Sequence, residues 1–133
     1  NMADMIRVPA YRPGKDKAMR IEYRAPDPAC NPYLAFAVAL DAGLEGIEQG
    51  YELTQPLDRN VNEMTSKERR DMGIKALPTD LNEAIKLAEG SELLQKTLGD
   101  HVFGKLLENK RQEWARYRSQ VTNYELDTYL SLL

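Results

Sequence analysis

The residues best equipped for chemistry sit close together: Arg20, Glu22 and Arg24, with Arg7 and Lys17 a short way upstream. Arg20, Glu22 and Arg24 alternate with Met19, Ile21 and Tyr23. On an extended strand that spacing puts plus, minus, plus on one face and the apolar side chains on the other. Same-face neighbours lie roughly 7 Å apart, enough to hold an anion and a cation side by side. Guanidinium forks match phosphate and carboxylate oxygens, and a carboxylate suits a hard divalent cation. The pattern alone leaves two readings open: a structural ladder of cross-strand ion pairs, or the charged face of an active site.

The flanking elements must position these groups. Ile6 to Pro9 reads as a short strand on which Arg7 opposes its apolar neighbours in polarity. Tyr11 to Lys17, with Pro13-Gly14, reads as a charged turn or loop. After Arg24, Pro26, Pro28 and Pro32 hold the chain extended. Asn31-Pro32 then predicts a helix start, and Tyr33 to Gln49 is apolar around most of its circumference, so a buried helix is expected, ending at Gly50. Residues 51–79 are polar and broken by Pro56 and Pro78, a surface excursion with a short helix near Ser66 to Met72.

The rest, 80–133, reads as helical. Asp80 with Glu83 resembles a capping box opening Leu81 to Glu89. Ser91 caps a short helix ending at Gly99, and Asp100 caps a long one. On the latter, Phe103, Leu107, Trp114, Tyr117 and Val121 share a face, with Lys110 in the missing slot. Core packing is favoured over a coiled-coil seam, because the pattern is short. Thr122 with Glu125 launches a final helix carrying Tyr129, Leu130, Leu132 and Leu133, an unusually apolar chain end.

Composition bounds the function classes. The 133 residues suit one domain or a piece of one. A net charge of −3, from 18 basic and 21 acidic residues, gives no reason to expect nucleic acid or an anionic membrane. The single cysteine, Cys30, forms no internal disulfide and fits a reducing cytoplasm. No apolar run is long enough to span a bilayer, and no signal-peptide pattern opens the chain.

The run RIEYRAPDPACNPYLAFAVAL, with Ile6-Arg7-Val8-Pro9, Lys17, Ala76-Leu77-Pro78 and Gly99-Asp100-His101-Val102-Phe103, closely resembles the C-terminal part of the catalytic domain of type I glutamine synthetases. The resemblance spans the whole chain but about the last third of a family member. It implies an α/β (α+β) architecture: a few antiparallel strands of a larger catalytic sheet or barrel in residues 1–30, followed by a mainly helical region. It implies ATP-dependent ligation of ammonia to glutamate through a γ-glutamyl phosphate, with ATP and Mg2+ or Mn2+ as cofactors. Arg7, Lys17 and Arg20 are assigned by it to the nucleotide phosphates, Glu22 to one divalent metal, and Arg24 to glutamate and the acyl phosphate. It further implies a homo-oligomer, a dodecamer of two stacked rings joined partly by C-terminal helices.

Departures from the family are also legible. Asn1-Met2-Ala3-Asp4 stands where family members carry Asn-Arg-Ser-Ala, so an arginine near the transferring phosphoryl group is missing. Either this is a substitution that impairs catalysis, or Met2 is an initiating residue and the sequence begins inside the domain; the second is favoured. The tyrosine adenylylated in the enteric branch aligns with Asn62, so that regulation is not expected. His101 matches no metal position of the family and is expected at the surface or in packing. The other acidic ligands and the metal-binding histidine would lie upstream, so the chain is expected to be inactive alone. The alternative function is a free-standing helical interaction or regulatory module derived from such an enzyme.

Overall fold

The computed structural model describes residues 5–10, 12–53, 55–57 and 59–132, and of Ala18 the backbone only. Asn1, Met2, Ala3 and Asp4, where the family arginine would fall, lie outside the described residues, as does Leu133. The architecture is mostly helical with a small two-stranded antiparallel sheet. The chain divides into two compact units, Asn1–Ala76 and Leu77–Leu133.

In the first unit, β1 (Ile6–Arg7) pairs antiparallel with β2 (Glu22–Tyr23), Ile6 opposite Tyr23 and Arg7 opposite Glu22. The Arg24 amide extends the ladder by donating to the Met5 carbonyl at 2.8 Å. The connection carries a 3-10 turn, Asp16–Ala18, with Lys17 exposed on it. Past β2 the Asp27 carboxylate accepts from the Ala29 amide at 2.7 Å, a local turn of the kind aspartate favours.

α1 (Pro32–Glu48) begins as the sequence predicts. The Asn31 side chain accepts from the Tyr33 and Leu34 amides at 3.0 and 3.4 Å, and Pro32 occupies the first turn, where a missing N–H costs nothing. Gly50 (φ 64°) closes it, with the Tyr51 amide donating back to the Gly46 carbonyl at 2.9 Å. The expectation of a buried helix is not met within these residues. No residue of α1 is buried, and Tyr33, Phe36, Leu40 and Ile47 are largely exposed. Burial needs a facing surface, and two strands of two residues each cannot supply one. After a 3-10 turn at Val61–Glu63 and the buried Met64, α2 (Ser66–Asp71) opens on a full capping box between Thr65 and Glu68.

The second unit is built on α3 (Leu81–Glu89) packed against α4 (Glu92–Arg118). Ile85 and Leu107 are its buried side chains. Arg111 reaches Glu89 across the pair, its Nε donating at 3.0 Å. Asp80 caps α3 as expected, accepting from the Glu83 amide at 2.8 Å. The reciprocal bond differs: the Glu83 carboxylate accepts from the backbone and hydroxyl of Thr79, one residue earlier than the box predicts.

α4 is two helical stretches joined at Gly99, whose φ of 70° and ψ of 158° leave the helical region. The break falls where the sequence ends one helix and starts the next. Asp100 does not show the expected cap in its hydrogen bonding: its carboxylate accepts from the Gln95 side chain at 2.9 Å. The apolar face of α4 packs in its first half, through Leu107, and opens to solvent beyond Trp114, with Tyr117 and Val121 exposed. α5 (Asn123–Tyr129) carries the predicted Thr122–Glu125 capping box and continues into a 3-10 turn, Leu130–Leu132.

Candidate functional site

The antiparallel register is what makes the site. Directly opposed residues on one face of a sheet are the nearest cross-strand neighbours, and here they are Arg7 and Glu22. Arg7 Nη1 donates to Glu22 Oε2 at 2.8 Å. Alternation along the second strand brings Arg20 and Arg24 to the same carboxylate: Arg20 Nη2 meets Oε1 at 3.0 Å, and Arg24 Nη2 meets Oε2 at 3.4 Å. Three guanidiniums therefore converge on one carboxylate.

The electrostatics follow. The hydrogen bond from Arg7 is the largest influence on Glu22; its charge and the bonds from Arg20 and Arg24 act in the same direction, while partial burial opposes them. The net effect holds the Glu22 carboxyl below its ordinary range, ionised through the neutral region. Glu22 is a quarter exposed and Arg20 well exposed, so the cluster opens to solvent on one side. A guanidinium has five N–H donors in a rigid fork, a geometry that can serve more than one oxyanion.

Of the sequence-predicted residues, Arg7, Arg20, Glu22 and Arg24 are brought together. Lys17 is not among the groups converging on Glu22; it is exposed on the 3-10 turn between the strands. His101 is exposed on α4, in keeping with a surface role, and Cys30 is an exposed free thiol. Asn62 is exposed on the turn before α2. What the sequence reading missed is that Arg7 closes the cluster. Only the register reveals it, and two-residue strands carry too little periodicity to specify a register in advance.

Whether these residues suit a divalent metal is decided by their donor set. Among the described residues no group of three or more histidine, cysteine, aspartate or glutamate side chains could hold an ion. Glu22 is the lone acid of its cluster, with both oxygens engaged by guanidiniums. A hard cation needs about six oxygen ligands, so the described residues do not by themselves make a metal site. No helix among them is long and apolar enough to cross a membrane.

Comparison with known proteins shows the family. Residues 1–129 match the family described as glutamine synthetase, catalytic domain. The chain is 54% identical over 132 residues to glutamine synthetases of Mycobacterium bovis and Mycobacterium tuberculosis, covering 99% of this chain and 30% of each relative. It is 47% identical over 133 residues to the glutamine synthetase of Methanosarcina mazei, covering all of this chain and 29% of that one. A solved GmaS/ADP complex (conformation 1) superposes with a TM-score of 0.74 at 38% identity, covering 86% of this chain and 25% of that one. The chain thus spans somewhat under a third of the length of the curated relatives it matches.

Proposed function

The chain belongs to the glutamine synthetase catalytic-domain family, and from that premise we propose that it supplies the phosphate- and glutamate-binding part of an ATP-dependent glutamate–ammonia ligase. The observation that carries the reading is the convergence of Arg7, Arg20 and Arg24 on Glu22. The reaction joins ammonia to a carboxylate, a poor electrophile until it becomes an acyl phosphate. Phosphoryl transfer of that kind asks mainly for charge neutralisation and positioning.

In this reading Arg7 and Arg20, with Lys17 from the neighbouring turn, neutralise the nucleotide phosphates. Arg24 binds glutamate and the oxyanion of its γ-phosphoryl derivative. The ADP held by the related GmaS protein supports a nucleotide as ligand. Glu22 has two tasks: it holds three guanidiniums in one register, and it offers one carboxylate towards a Mg2+ or Mn2+ site. The other ligands of such a site must come from outside the described residues. Cytoplasmic placement and assembly into a dodecamer, with apolar C-terminal ends received by a neighbouring subunit, complete the proposal. The chain alone should form no glutamine.

Two variants in a complete enzyme carrying this segment test it, alongside the pure chain assayed with ATP, glutamate, ammonia and magnesium. Arg24→Ala should lower kcat/KM for glutamate by about tenfold to a hundredfold, the worth of a charge-assisted hydrogen bond present in both ground and transition states. Glu22→Gln should weaken metal activation while circular dichroism stays parental. Near-parental rates for both variants at limiting metal and glutamate, or glutamine formed by the chain alone, would overturn the reading.

A further inference from the structure

A second concentration of positive charge lies in the segment around α2, and nothing in the proposed reaction uses it. The end of α2 folds the chain back on itself: the Gly73 amide donates to the Arg70 carbonyl at 3.0 Å, and the Ile74 amide to the Arg69 carbonyl at 2.9 Å. A concavity of 660 Å³ results, lined by the apolar Val61, Ile74 and Ala76 and by three cations, Arg69, Arg70 and Lys75.

Two of the nearby acids are engaged elsewhere. Glu68, the acid next to Arg69, is committed elsewhere: it accepts from the backbone and hydroxyl of Thr65 at 2.8 Å each and from Arg59 at 3.4 Å. Glu63 accepts from the Asn60 side chain at 2.9 Å. Among the described residues, the side chains of Arg69, Arg70 and Lys75 have no ion-pair partner. Three like charges around one apolar hollow repel one another, and an oxyanion seated between them relieves that repulsion while its body covers Val61 and Ile74.

We propose that this hollow binds a small organic oxyanion, a phosphate or carboxylate carried on a compact apolar body. Arg69 and Arg70 fork the oxyanion, Lys75 adds a point charge, and Val61, Ile74 and Ala76 take the apolar part. The site is independent of the Glu22 cluster and of the reaction proposed for it.

Methyl and amide NMR of this chain tests the proposal, titrated separately with phenyl phosphate, phenylacetate and inorganic phosphate. Phenyl phosphate or phenylacetate should shift the Val61 and Ile74 methyls in a saturable way, and whichever binds tighter identifies the head group. The double variant R69A/R70A should weaken that binding about tenfold or more, and K75A less, with circular dichroism unchanged. Among the described residues these side chains make no ion pair, and circular dichroism checks that the fold is kept. The methyls of Leu34 and Leu40 on the exposed α1 serve as the control for non-specific apolar binding. Three results would overturn the proposal: shifts at α1 in place of Val61 and Ile74, shifts unaffected by R69A/R70A, or inorganic phosphate binding as well as phenyl phosphate, which would mean an adventitious ion only.

Discussion

Leu107→Ala puts the packing of the second unit to a quantitative test. Leu107 is 6% exposed, and with Ile85 it forms the buried part of the α3–α4 pair. The substitution removes three carbon atoms from a nearly dry position. At about 0.8 kcal/mol per methylene, with a further contribution from an incompletely collapsed cavity, the cost is about 2–3 kcal/mol. Leu87 on α3 is the matched control, because the same atoms are removed from a side chain 60% exposed, where the cost should stay within about 0.5 kcal/mol. Urea unfolding followed by the helical circular-dichroism signal reads the difference. With a slope of about 1–2 kcal/mol per molar urea, the Leu107→Ala midpoint should fall by about 1–3 M and the Leu87→Ala midpoint should barely move. Equal losses from the two variants would show that α3 and α4 are not organised around Leu107.

Acid should loosen the strand pair and the helix starts together. Glu22 is held below its ordinary range first by Arg7, and Glu125 first by the Thr122 amide, so their stabilisation is full above the unfolded glutamate value and lost as pH falls through the lowered folded ones. The protection of the Arg24 amide, which donates to Met5, relative to its intrinsic exchange rate should fall over that acidic interval, and unchanged protection there would contradict the assignment. At the chain end, Tyr129, Leu130 and Leu132 are more than half exposed within their own unit. Removing Tyr129 to Leu133 from a complete enzyme should yield species smaller than the parental oligomer by light scattering, with parental circular dichroism. Retention of the full assembly at nanomolar concentration would return the tail to its own subunit.

Local signals in the sequence were legible where the physics is local. Asn31-Pro32, Asp80 and Thr122 with Glu125 mark helix starts because a cap involves only the next three or four residues. The same Thr-x-x-Glu pattern opens α2 at Thr65. The alternation of Arg20, Glu22 and Arg24 indicated a shared charged face, and the structure joins all three. Burial was less legible. The composition of α1 says that its side chains prefer an apolar surface but not where that surface is, and within this chain they stand exposed. The apolar face of α4 runs past Trp114, yet Tyr117 and Val121 beyond it stand exposed, because contact depends on how far the shorter α3 extends.

The break at Gly99 has a consequence for how α4 tolerates change. An unbroken helix keeps a fixed angular phase, so one inserted residue swings everything beyond it by about 100° around the axis. At Gly99 the backbone leaves the helical region, and a side chain there would meet no neighbour within 4 Å; the φ of 70° alone is what favours glycine. The phase is therefore set afresh on each side. The leucines of Glu92 to Leu98 and the face bearing Phe103 and Leu107 need no common stripe, and each stretch can evolve its own. An extra residue should therefore be tolerated best at this joint, whereas one inserted between Leu107 and Lys110 would rotate Lys110 and Trp114 out of line with Leu107.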